Sequence, residues 1–178
     1  MNRILLTIST VAVLFIGCAK NQVTGRKQLI LLPETELQNM ASQQYKQFLT
    51  ENKVVATNVN KDAEMVRRVG TRIAYAIGKY YEQQGKGDIL NGYQWEFNLI
   101  DSKDVNAWCM PGGKVAFYTA ILPICKDETG VAIVMGHEVA HAIANHGKER
   151  MSQAMLANGL LGTLGAAAGQ NPTLTQQL

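Results

Sequence analysis

Val131-Ala132-Ile133-Val134-Met135-Gly136-His137-Glu138-Val139-Ala140-His141-Ala142-Ile143-Ala144 is an apolar run that carries two imidazoles and a carboxylate at fixed spacing. At about 100° per residue, positions four apart lie about 40° from eclipsed on a helix, so His137 and His141 can reach one metal ion. Glu138 then lies beside that ion. Zinc lowers the pKa of a water it holds towards neutrality, and a neighbouring carboxylate can take the proton as the water attacks a polarised carbonyl. The reaction class implied is amide hydrolysis. The plain alternative is a chance HExxH on a solvated surface helix. The apolar surroundings speak against it, because burying a Glu and two rings without a compensating partner is costly.

Outward from this run, 178 residues with 47% hydrophobic and 17% charged side chains suffice for one globular core and are few for two. The net charge is only +3 and the basic residues are scattered, so nothing argues for a nucleic-acid partner, and none is expected.

The chain opens as an export signal. Arg3 supplies a positive start, and Ile4 to Ile16 is apolar but too short to anchor in a bilayer. Phe15-Ile16-Gly17-Cys18 resembles the bacterial lipobox, with Phe15 in place of the usual Leu-like residue; an ordinary secretory peptide with an incidental Cys is the alternative. Ala19 after the Cys resembles lipoproteins passed to the outer membrane. The expected organisation is a signal peptide over 1–17, a lipidated Cys18 and polar tether over 18–27, and one domain over 28–178. Cys109 and Cys125 would then share an oxidising compartment, where a disulfide between them is one reading and two buried small hydrophobes the other.

Gln28 to Leu32 reads as a short strand stopped by Pro33, and the acids after Pro33 start a helix to about Leu49. Asn60 can cap a second helix to about Gln84, whose Val66, Val69, Ile73, Ile77 and Tyr80 recur at helical spacing. Tyr93 to Leu99 alternates aromatic and polar residues as a half-buried strand, and Lys114 to Thr119 offers another. Asp127-Glu128 can start the HExxH helix, expected to reach about Met151. The Leu, Ala and Gly-rich stretch Ala154 to Gly169 allows a helical hairpin, a segment lying against a membrane, or a mobile loop.

The lipobox, Asn106-Ala107-Trp108-Cys109-Met110-Pro111-Gly112-Gly113, and HEVAH about two dozen residues later together resemble the bacterial envelope branch of the zinc metallopeptidases related to the CAAX prenyl endopeptidases. The resemblance covers Val23 to Met151. It implies an α+β, mainly helical, zincin-like metallopeptidase domain with a small sheet whose edge strand flanks the HExxH helix. It implies one Zn2+ per chain, with His137 and His141 as ligands and Glu138 as general base. It also implies that Asn106, Pro111, Gly112 and Gly113 belong to an edge along which an extended substrate pairs; a tight turn is the alternative reading of the same residues, Asn106 included. Substrates would be unfolded or misassembled envelope proteins, and the protein would be held through Cys18, on the periplasmic face of the outer membrane.

In that family the third zinc ligand is a Glu on a later helix, and no acid follows Glu149 here. On a helix continuing from HExxH, Glu149 would lie roughly 12 Å past His141, and His146 about 140° around from it. Glu96, Asp101 and Asp104 are upstream candidates that nothing in the sequence selects. The expectation is therefore a C-terminally truncated peptidase, inactive by itself. The rivals are a non-catalytic, chaperone-like lipoprotein that binds unfolded clients, and a protein whose metal site only rigidifies the fold.

Overall fold

The computed structural model describes the backbone of residues 18–166 and the side chains of residues 19–159. The expected signal peptide, 1–17, and the end of the apolar tail lie outside the described residues. The chain divides into two compact units, one built from residues up to Pro33 together with those from His146 onward, the other from Glu34–Asn145.

In the first unit, β1 (Cys18–Lys20) and β2 (Lys27–Leu29) pair antiparallel, with Cys18 opposite Leu29 and Lys20 opposite Lys27. The stretch expected as a polar tether is thus folded as a hairpin. Its polarity serves the turn: Asn21 Oδ1 accepts from the N–H groups of Val23 and Thr24, each at 2.8 Å. Asn21 and Gln28 are both buried and join each other through Asn21 Nδ2, 3.0 Å from Gln28 Oε1, so neither is left unsatisfied.

The second unit holds most of the elements. Helix α1 (Glu34–Glu51) starts as expected after Pro33. Helix α2 (Lys61–Gln83) is capped by Asn60, whose side chain accepts from Asp62 and Ala63 N–H at 2.9 Å. Strands β3 (Glu96–Ile100), β4 (Ala107–Met110) and β5 (Lys114–Tyr118) form one sheet in the order β3-β5-β4, with β5 parallel to β3 and antiparallel to β4. A short helix, α3 (Leu122–Cys125), precedes α4 (Glu128–Ile143), which carries HExxH.

Side-chain alternation along the strands splits the core between the two sheet faces. Phe97, Leu99, Val115 and Phe117 pack with Val66 and Val69 of α2 and with Val131, Met135, Val139 and Ile143 of α4. On the other face Ile100 and Ala116 pack with Tyr45 of α1, joined by Phe48, Trp108 and Tyr118. The aromatic face expected for residues 93–99 is therefore the one turned to α2.

The HExxH helix does not reach Met151. It stops at Ile143, because Asn145 adopts a left-handed backbone (φ 59°) that ends the hydrogen-bonding row, with its N–H bonded to Ala142 O at 3.1 Å. Asn is among the few residues that tolerate this conformation at a helix end. A separate helix, α5 (His146–Ala166), follows as part of the first unit. Over its described length it is continuous, so the hairpin and the mobile loop are both replaced by one helix running through Ala154 to Ala166.

Gly70 of α2 lies under β3. A Cβ there would meet the Phe97 ring at 2.2 Å, far inside van der Waals contact. Gly70→Ala is expected to cost about 1–3 kcal/mol as the ring is displaced. Urea unfolding checks this; an unchanged midpoint would show that the helix and strand can simply separate.

Candidate metal centre

Helix α4 is set by its buried stripe, Val131, Met135, Val139 and Ala142, which leaves Ile133, His137, Ala140 and His141 on the exposed side. Glu138, one residue round from His137, is half-buried. The expectation of a buried motif is thereby corrected: Val131, Met135, Val139 and Ala142 of the run are core, and the histidines lie on the opposite, accessible face with Ile133 and Ala140. The helix phase that buries one set exposes the other.

The N-terminus of α4 is tied down twice. Asp127 caps it through Gly130 N–H at 2.9 Å. Glu128 receives Arg68 of α2 at 2.8 Å and Arg72 at 3.3 Å, and Arg68 also pairs with Glu64. The Arg68 bond is the main cause that holds the Glu128 carboxyl below its ordinary 4.5. This latch was not anticipated, although Arg68 and Arg72 one helical turn apart were a readable sign of it.

His137 and His141 bring their Nε2 atoms to 2.9 Å, with the ring planes nearly perpendicular. A tetrahedral ion with Zn–N bonds of about 2.0–2.1 Å would place its two nitrogens roughly 3.3 Å apart. A small ring rotation makes that difference, so the pair fits a shared ion. Two imidazoles are one protein donor short of an ordinary catalytic zinc site. Among the described residues no three His, Cys, Asp or Glu side chains are grouped to hold a metal.

The upstream acids are engaged elsewhere: Glu96 with Lys114, and Asp101 with Lys53 at 2.6 Å. Asp104 lies in the β3–β4 connection, where its N–H bonds Ser102 Oγ. Glu149 is not on the HExxH helix at all, so its expected 12 Å offset does not apply. It belongs to α5, where Arg26 and Gln28 Nε2 bind its carboxylate, the latter at 3.3 Å. His146 likewise opens α5.

Strand β4 is an outer strand of its sheet and packs against α4. Cys109 of β4 lies near enough to Glu138 to feel its charge. Burial first, and that carboxylate second, push the thiol up to about 12. Cys109 and Cys125 are both free thiols, so the disulfide is not formed.

The turn residues divide by role. Met110 to Gly113 is a tight turn closed by Gly113 N–H to Met110 O at 3.2 Å, with Gly112 at φ 79° and Gly113 at φ 83°. Both glycines are buried, and their carbonyls accept from Gln94 and Glu96 N–H at 2.9 Å. The close approach allowed by Gly113 is that of the Trp95 ring, 2.6 Å from where a Cβ would be. Asn106 Oδ1 accepts from the Ala107 N–H at 2.9 Å. Pro111 and the glycines thus form the turn, and Asn106 fastens the entry to β4.

Comparison with known proteins gives the family. The description of peptidase family M48 matches residues 60–176, from the α2 cap through the HExxH helix and beyond. This chain belongs to peptidase family M48. Its members are generally zinc-dependent metallopeptidases. The mitochondrial metalloendopeptidase OMA1 of Saccharomyces cerevisiae is 38% identical over 77 residues, covering 42% of this chain and 22% of that protein. The metalloprotease LoiP of Escherichia coli is 25% identical over 181 positions, covering 98% of this chain and 66% of LoiP. YcaL, a metalloprotease of the same bacterium, is 29% identical over 87 residues, 46% of this chain and 34% of its own length. The chain thus spans less than a quarter of the yeast relative.

The latch at Glu128 sets a pH dependence. A carboxyl whose folded pKa is depressed stabilises the fold above its unfolded value and loses that contribution as pH falls through the folded one. Wild type should therefore melt higher than Glu128→Gln at pH 7, with the gap closing as pH drops below about 4.5. Paired thermal melts across pH 2.5–7 check it, and a gap that stays constant would remove Glu128 from the acid transition.

Proposed function

We propose that this chain carries the metal-binding half-site and general base of a zinc metalloendopeptidase of the bacterial cell envelope, with one zinc per chain. The observation that carries the reading is the convergence of two Nε2 atoms on the open face of α4, with Glu138 beside them and an outer strand alongside. When bound, zinc would supply Lewis acidity towards the scissile carbonyl and acidify the attacking water. Glu138, on the same helix turn, takes the proton from the water and returns it to the leaving amine.

The open edge of β4 orients substrate. Asn106 O bonds Tyr118 N–H at 3.1 Å, so by antiparallel alternation the main-chain groups of Ala107 and Cys109 face away from β5. An extended segment pairing there would run beside α4, which favours unfolded or misassembled envelope proteins as the substrate class. Cys18 is proposed as a lipidated anchor that places the protein at the periplasmic face of the outer membrane.

Glu138→Gln in the full gene product should lower casein hydrolysis by roughly a hundred- to ten-thousandfold while elemental analysis still finds zinc. Undiminished hydrolysis in that variant would overturn the assignment. The second reading, client binding without cleavage, draws on there being only two grouped donors among the described residues; it requires client binding to survive both chelator and loss of the two histidines.

The anchor is tested separately. Radiolabelled palmitate fed to cells should label the wild-type protein and not Cys18→Ala, and equal labelling of both would dismiss Cys18 as the acceptor.

A further inference from the structure

The opposite edge of the sheet carries a feature that the proposed peptidase chemistry does not use. Strand β3 is the other outer strand, and its two ends differ. At the C-terminal end the chain itself pairs onto it: Val54 bridges Ile100 antiparallel, Val55 N–H donates to Leu99 O at 2.8 Å, and Asp101 N–H donates to Lys53 O at 2.9 Å. These bonds fix which main-chain groups look outward, namely those of Leu99 and Asp101. By alternation those of Phe97 look the same way.

The pairing segment leaves the edge in a turn at residues 57–59. Where it leaves, a groove of about 700 Å³ lies between β3 and α2, its lining including Arg67, Thr71, Tyr75, Trp95, Phe97 and one acid, Glu96. Its walls combine apolar area with one uncompensated charge. Tyr75 is 68% exposed, an unusual state for a large ring. Arg68 and Arg72 are held by Glu128, and Glu96 by Lys114, whereas Arg67 is exposed and has no carboxylate partner among the described residues.

We propose that this groove is a second polypeptide-docking edge, which takes an extended acidic segment antiparallel to β3. The segment continues the line begun by Lys53 to Val55, bonds the outward main chain of Phe97, and sets a carboxylate on Arg67. An edge that already accepts one extended strand in this direction is a template for another, and the free cation selects the charge of its occupant. The reading does not depend on the metal or on hydrolysis.

The test uses two dye-labelled peptides, Ac-Thr-Val-Glu-Val-Thr-Val-amide and its counterpart with Lys for Glu, titrated in EDTA and followed by anisotropy. The acidic peptide should bind saturably and more tightly than the basic one. Arg67→Glu, an exposed change that leaves the core untouched, should weaken the acidic peptide about fivefold or more and reverse the preference. Hydrogen exchange should slow at the Phe97 amide when the acidic peptide is bound. No saturable binding, a preference indifferent to Arg67→Glu, or protection falling on Ala107 and Cys109 of β4 instead would each overturn the proposal.

Discussion

Burial of Val131, Met135 and Val139 in the core beneath the sheet is the constraint from which the site follows. A helix has one rotational phase, and once these residues are inside, His137 and His141 can only be outside. The rings therefore keep their hydration and avoid the desolvation cost that a buried pair would carry. Glu138 takes the intermediate position at the margin of the core. The Asp127 cap and the Arg68 and Arg72 pairs with Glu128 hold this phase at the start of the helix. A slip of a single residue would swing the imidazoles by about 100°.

The same packing decides what stands next to the carboxylate. Cys109 projects from β4 towards α4, where burial first and the Glu138 charge second raise its thiol. Small residues permit the closeness of these layers. Gly70 admits the ring of Phe97 and Gly113 that of Trp95, and the two rings stack at 6.0 Å with their planes nearly parallel. The sheet thus meets α2 at Gly70, and Trp95 meets the β4–β5 turn at Gly113, by contacts that leave no room for a methyl group.

What could be read beforehand was what local chemistry dictates. The Asn60 cap, the Pro33 start, the alternation over residues 93–99 and the helical spacing of HExxH each act within a few residues, and each reappears in the fold. The failures came where the decision is made by distant partners. One of them was local: the break at Asn145 lies where the apolar run gives way to His146-Gly147-Lys148-Glu149-Arg150, and Asn145 was itself a readable stop signal. The hairpin over residues 18–29 reads as a polar leash until Gln28 and Asn21 are seen to satisfy each other under cover. Burial of the motif was inferred from its apolar neighbours, yet the buried ones, Val131, Met135 and Val139, occupy the other side of the same helix. No third metal donor could be selected from the sequence, and among the described residues no acid is grouped with the two histidines.

The hairpin also bears on how unit one could meet a bilayer. Cys18 is itself the first paired residue of β1, directly across from Leu29, and β2 is fastened to α5 by Arg26, Gln28 and Glu149, with Leu31 N–H on Ser152 Oγ at 3.0 Å. An acyl chain attached at that cysteine would have no slack between lipid and folded protein. Such a molecule would ride the membrane like a stud pressed into it rather than a float on a line, and its range of tumbling would be set by the stiffness of a two-stranded ribbon.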